Sequence, residues 1–297
     1  MIAIVTDSNS QIPPSLVERF GVTVVPLSVT VDGMAYLEGV NLGADEFFAR
    51  FEDGATPPTV TTAQPSPGQF AAAYDRLVAR GAEAVLSVHI GSSVSGTVNS
   101  ARLAAEGVTV PVRIVDTGTA SFAIALCAWA AAEAIAASVD VGVEDAAAAA
   151  ERTAAATGNV FIIGALDLAR AGGRLSPDLD PAATAAVPVL TMADGVMQVV
   201  GQAEDVDGAV DAMVSHVGRG GEGLRVGVGL GDRTMAPLCE ALEQRVAALP
   251  NVSEVVRYRI GPSVGAHTGP GTVGVMFAPG DCKFSLSSLR VEAPDGR

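Results

Sequence analysis

The stretch AVLSVHIGSSVSGTVNSARLAA, Ala84–Ala105, decides how the rest of the chain is read. Its first seven residues, Ala84–Ile90, are mostly apolar, in the manner of a buried strand. Gly91–Gly96 then breaks in with glycines and serines, and Thr97–Ala105 has the composition of a helix, which Gly107 ends. A strand that passes through a short polar loop into a helix is half of a βαβ unit.

The same order recurs on either side. Upstream, Ile2–Val5 reads as a buried strand closed by Thr6-Asp7-Ser8, and Pro13–Phe20 as a helix with proline near its start. Val22–Val31 is strand-like up to an Asp32-Gly33 turn, Ala44–Phe51 is helical, and Ala55–Pro67 is extended because residues before proline avoid the α region. Phe70–Arg80 reads as a helix closed by Gly81. Downstream, the strand Val112–Asp116 leads into alanine-rich helices that run to about Ala156. The alternation predicts a parallel, Rossmann-like α/β domain over residues 1–157.

The second half restarts with a strand at Asn159–Ile163 and a short helix at Leu166–Ala171. Val189–Met192 and Val196–Val200 flank Asp194-Gly195 as a β-hairpin. A strand at Arg225–Gly229, a helix at Met235–Leu249, a strand at Val255–Ile260, a Gly/Pro loop at Gly261–Gly271 and a strand at Val273–Phe277 follow. A hairpin beside αβ units predicts a second α/β domain with a mixed sheet over residues 158–297.

Composition excludes several function classes. The chain has 33 acidic against 18 basic residues in 297, a formal charge of −15, so it repels phosphodiester backbones and anionic lipid headgroups. Nucleic-acid binding and stable membrane insertion are not expected. Cys127, Cys239 and Cys282 are widely spaced and form no CxxC pair, which points to free thiols and away from a zinc site. The start, MIAIVTDSN, lacks the basic region of a signal peptide, and the apolar stretch Phe122–Ala132 is too short to span a bilayer. A cytoplasmic protein with no metal or cofactor is expected.

Three polar loops interrupt this apolar chain: Thr61–Ser66, Gly91–Thr97 and Gly261–Gly271. In open α/β sheets ligands sit outside the carboxyl ends of the strands. The second loop follows a strand and opens a helix, so its N–H groups and the hydroxyls of Ser92, Ser93 and Ser95 suit an anion; the plainer alternative is that Ser93 or Ser95 caps the helix. In the third loop, glycines around His267 would let an imidazole approach a ligand, or the histidine serves the loop alone. His89, at a strand end, is expected to be partly buried, and His216, late in a helix, to lie on the surface. Gly172-Gly173-Arg174 reads as a helix C-cap followed by a charge.

Taken in order, Val5-Thr6-Asp7-Ser8, Thr61–Ser66, Ser92–Thr97, Val115-Asp116-Thr117, Gly172–Ser176 and Gly261–Gly271 resemble the DegV family of bacterial lipid-binding proteins over nearly the whole chain. The resemblance implies a two-domain carrier, not an enzyme, in which the second domain closes a lipid cleft over the first. It implies a long-chain fatty acid whose carboxylate is held by Thr61, Thr62, Ser92, Ser93, Ser95, Gly96, His267 and Thr268. It extends to a fatty-acid kinase as a partner, which would make the acyl phosphate, with Arg174 and Arg170 as partner contacts. Val187 stands where many relatives carry lysine, and Gln202-Ala203-Glu204 replaces a basic stretch; these departures bear on the kinase and not on binding.

Two rival readings come from the residues themselves. An acyl hydrolase would use Ser93 and His267, with Asp7 or Asp116 orienting the histidine, yet Gly91-Ser92-Ser93-Val94-Ser95 misses the last glycine of the G-x-S-x-G elbow. A small-anion or nucleotide module lacks both a Walker pattern and a G-x-G-x-x-G after the first strand.

Overall fold

The computed structural model describes residues 1–52, 57–173, 175, 187–193 and 195–280. Strands β1 (Ile2–Asp7), β2 (Thr23–Val25), β6 (Ala84–His89) and β7 (Val112–Asp116) form a parallel sheet in the order β2-β1-β6-β7. Between β2 and β6 lie β3 (Ser28–Val31), β4 (Met34–Leu37) and β5 (Val60–Ala63). The mixed sheet has the order β10-β9-β8-β13-β11-β12. Its strands are β8 (Gly158–Ile162), β9 (Val187–Ala193), β10 (Val196–Ala203), β11 (Leu224–Leu230), β12 (Val252–Arg259) and β13 (Val273–Pro279). The α/β class and both sheet types agree with the expectation from sequence.

Three segments differ from that expectation. Val22–Val31 is not one strand. It divides at Pro26, which cannot donate to a ladder, and β3 joins β4 and β5 in a separate antiparallel sheet of order β4-β3-β5. The Asp32-Gly33 turn is formed as expected, with φ of 50° and 82°. Gly261–Gly271 is not a loop throughout: Pro262–Thr268 is a helix (α10), with proline in its first turn and Gly269 at φ 71° closing it. A helix at Val206–Gly218 (α8), capped by Asp205, was not anticipated.

The remaining helices are α1 (Pro14–Phe20), α2 (Ala44–Ala49), α3 (Pro67–Ala79), α4 (Thr97–Ala105), α5 (Phe122–Ala137), α6 (Val143–Ala156), α7 (Leu166–Ala171) and α9 (Ala236–Ala247). α3 starts before Phe70 because Ser66 and Gln69 form a capping box. α5 is buried along most of its length and touches β1 and β6 of the parallel sheet as well as β11 and β13 of the mixed one. Its alanines allow close packing on Ala146, Ala147 and Ala150 of α6. Arg225 of β11 reaches back to Glu133 of α5 in a two-pronged ion pair of 2.7 and 2.8 Å, stacked on Trp129. One apolar cluster accordingly holds residues from both halves, including Val29, Phe122, Phe161, Tyr258 and Met276.

Candidate ligand-binding site

The carboxyl ends of β1 and β6 meet α10, β5 and the β9–β10 hairpin around a cavity of about 320 Å³. Thr62, Ser95, Gly96, His267 and Thr268 line it, together with Asn9, Gln64 and Ser263. Its apolar wall includes Leu27, Ile90, Val94 and Val264. Met192 and Met197, paired across the hairpin, stand between it and an inner chamber of about 50 Å³ walled by Phe161, Tyr258, Ile260 and Met276. The outer space thus has both polar and apolar walls, and the inner one is mainly apolar.

Strand geometry selects which threonine faces the site. Successive side chains of β5 point to opposite faces, so Thr62 turns inward while Thr61 is exposed and lines no part of the cavity. Thr62 Oγ1 lies 3.0 Å from His267 Nε2, joining two of the three polar loops. Helix formation in α10 is what aims His267 there, and Gly172 at the end of α7 packs against the ring: a Cβ at Gly172 would come within 2.4 Å of His267 Nδ1. Gly172 is therefore needed for close approach, and Gly173, at φ 67°, for the turn that ends the helix. Thr268 Oγ1 donates to the Val264 carbonyl.

The serine loop divides. Ser95 lines the cavity and its Oγ is 2.9 Å from Thr97 Oγ1, while Gly96 is the first residue of the turn into α4. Ser92 and Ser93 instead line an open, acidic hollow with Asp116 and Glu151. The Ser92 N–H donates to Asp116 Oδ1 at 3.0 Å. Burial alone would raise the Asp116 carboxyl, but its bonds from Ser92 and Gly118 outweigh that and hold it below the usual range. Ser93 packs against the β9–β10 turn, where a Cβ at Gly195 would lie 3.0 Å from Ser93 Oγ. Thr61, Ser92 and Ser93, which the sequence grouped with His267, thus do not line the cavity that His267 lines. Arg170 is exposed on α7 and lines no wall of the cavity; Arg174 lies outside the described residues.

The pairing needed by the hydrolase reading is not formed. Ser93 and His267 line different hollows, Asp116 is engaged by Ser92 and Gly118, and Asp7 bonds His89. His89 is not partly buried, as the sequence suggested, but wholly so. His216 is half-buried against Phe277, and burial lowers its pKa.

Sequence reasoning missed Asn9, Ser263 and Glu38. Asn9 follows the carboxyl end of β1, and that position was the available signal. Its Nδ2 donates to Ser263 Oγ at 3.1 Å and its Oδ1 accepts from Ser121 N–H at 3.0 Å. Glu38 caps α10 by accepting from Ser263 N–H at 2.8 Å, and also binds Ser8 and Gln11. Burial pushes the Glu38 carboxyl up despite those three donors.

The sequence model of the DegV family, described as an uncharacterised protein family, matches residues 1–280. This chain belongs to the DegV family. A DegV domain-containing protein of Streptomyces coelicolor is 33% identical over 282 residues, which cover 93% of this chain and 98% of the relative. Among solved structures, a DegV family protein from Thermus thermophilus described by its fatty acid binding superposes with a TM-score of 0.83 at 33% identity, covering 94% of this chain and 99% of that one. DegV of Bacillus subtilis, described as a fatty acid binding protein, gives 0.81 at 26% identity over 93% and 98% of the two chains. The DegV segments of this sequence converge on the cavity through Thr62, Ser95, Gly96 and His267. Among the described residues, no helix is long and apolar enough to cross a membrane and no cluster of side chains could hold a metal ion. Cys127 and Cys239 are buried, and Cys282 lies outside the described residues.

Proposed function

We propose that this DegV protein is a carrier that binds a long-chain fatty acid, with the carboxylate among Thr62, Ser95, Gly96 and His267 and the acyl chain directed past Met192 and Met197. The observation that carries the reading is the passage from an outer cavity with polar groups on one wall to a mainly apolar inner chamber across that methionine pair. A fatty acid is the ligand with that polarity profile. Burying each methylene gives about 0.8 kcal/mol, so a chain of about 16 carbons contributes on the order of 10 kcal/mol before ordering costs. The head group needs only a few hydrogen bonds to fix its position. Hydroxyls and an amide end suffice for that, and Ser93 and His267, the pair a hydrolase reading would use, line different hollows, which favours carriage over catalysis.

The methionines also explain how a narrow inner chamber can take a long chain. Met has three rotatable bonds and a polarizable sulfur, and it adapts to the shape beside it. Presentation of the bound acid to a kinase is a further part of this reading. Val187 opens β9 and Glu204 is exposed beyond β10, so neither provides a cation for such a partner. Mixing the loaded protein with a fatty-acid kinase and following acyl phosphate tests that part separately.

Lipid extraction and mass spectrometry of freshly purified protein tests the binding itself. Stoichiometric fatty acid of about 14 to 18 carbons is expected. A protein that carries none, and takes up none from palmitate-albumin, would end the proposal.

A further inference from the structure

Beneath the cavity wall, four side chains that ligand binding does not use form a continuous hydrogen-bonded row. Tyr74 OH lies 2.8 Å from Ser87 Oγ, Ser87 Oγ lies 2.6 Å from His89 Nε2, and His89 Nδ1 lies 2.9 Å from Asp7 Oδ2. All four residues are 0% exposed. The connectivity is that of a serine–histidine–aspartate triad, but the serine has no access to a substrate and is itself engaged by Tyr74. The acceptor at its end fixes the direction of the bond there. Asp7 Oδ2 faces the ring, so Nδ1 carries a hydrogen and donates it to the carboxylate.

The carboxylate then reaches the site. Asp7 Oδ1 accepts from Asn9 N–H and Oδ2 from Ile90 N–H, each at 3.0 Å, and both Asn9 and Ile90 line the outer cavity. The Asn9 side chain passes the constraint on to Ser263 of α10, the helix that bears His267. Thr117 Oγ1 donates to the His89 carbonyl at 2.7 Å and holds the strand end on the other side.

We propose that His89 is a positioning residue for the head-group site: it orients Asp7, which sets Asn9 and Ile90 in the cavity wall. The proposal rests on the fatty-acid reading for its consequence, though not for the geometry. His89→Asn places an amide N–H near the position of Nδ1–H, whereas His89→Leu leaves the buried carboxylate one donor short.

The test compares the two variants with wild type by amide hydrogen exchange, by palmitate affinity and, in wild type, by the ¹⁵N shifts of His89. A hydrogen on Nδ1, donated to Asp7, is expected. His89→Leu should speed exchange at Asn9 and Ile90 by at least about tenfold and weaken palmitate by about tenfold, and His89→Asn should restore both to within about threefold of wild type. Wild-type exchange at both amides in His89→Leu, equal loss in the two variants, or altered exchange with unchanged affinity would each overturn the role. If wild type binds no palmitate, the fatty-acid reading fails instead, and the exchange of Asn9 and Ile90 still decides whether His89 positions them.

Discussion

Replacing Thr62 and Thr61 separately by valine separates the inward face of β5 from the outward one. Valine keeps the branched shape and removes only the hydroxyl. In Thr62→Val the cavity loses the group that lies 3.0 Å from His267 Nε2. A hydrogen bond to an ionised carboxylate is worth roughly 1.5–3 kcal/mol, so palmitate should bind about tenfold to a hundredfold more weakly. Thr61 is exposed on the opposite face, and its variant should stay within about twofold of wild type. Displacement of a fluorescent fatty acid measures both affinities, and circular dichroism checks that each variant keeps its fold. Equal weakening by the two substitutions, or wild-type affinity in Thr62→Val, would refute the assignment of faces.

Three other outcomes are expected. Gly91→Ala would put a Cβ 2.7 Å from the Gly118 carbonyl carbon, so it should cost about 1–3 kcal/mol in urea unfolding; a stability equal to wild type would mean that the Gly91–Gly118 approach relaxes freely. Met276→Phe should fill the inner chamber of about 50 Å³ and weaken palmitate more than octanoate, and an equal effect on both acids would remove Met276 from the acyl path. Glu38 has its pKa raised above the ordinary 4.5 by burial, so its contribution to stability is fully present below that value and is lost as pH rises through the folded one. The stability of Glu38→Gln relative to wild type should therefore be greater at pH 8 than at pH 4, and the opposite order in denaturant titrations would reverse the sign of the Glu38 shift.

The sequence by itself determined the α/β class, because buried strands such as Ala84–Ile90 and the helices after them differ in local composition and punctuation, which a linear reading detects. It also determined the polar segments from which the site is made, and the motif order that marks the DegV family. It did not separate Thr61 from Thr62, or Ser93 from Ser95, since neighbouring hydroxyls look alike until a strand's alternation and a loop's path are known. It read Pro262–Thr268 as loop because glycine and proline weigh against a helix, whereas the Glu38 carboxyl group, distant in sequence, caps that turn. Asp7, His89 and Asn9 were three scattered polar residues in the chain. Only packing removed them from water together, and in that setting each buried donor and acceptor had to find its partner in another.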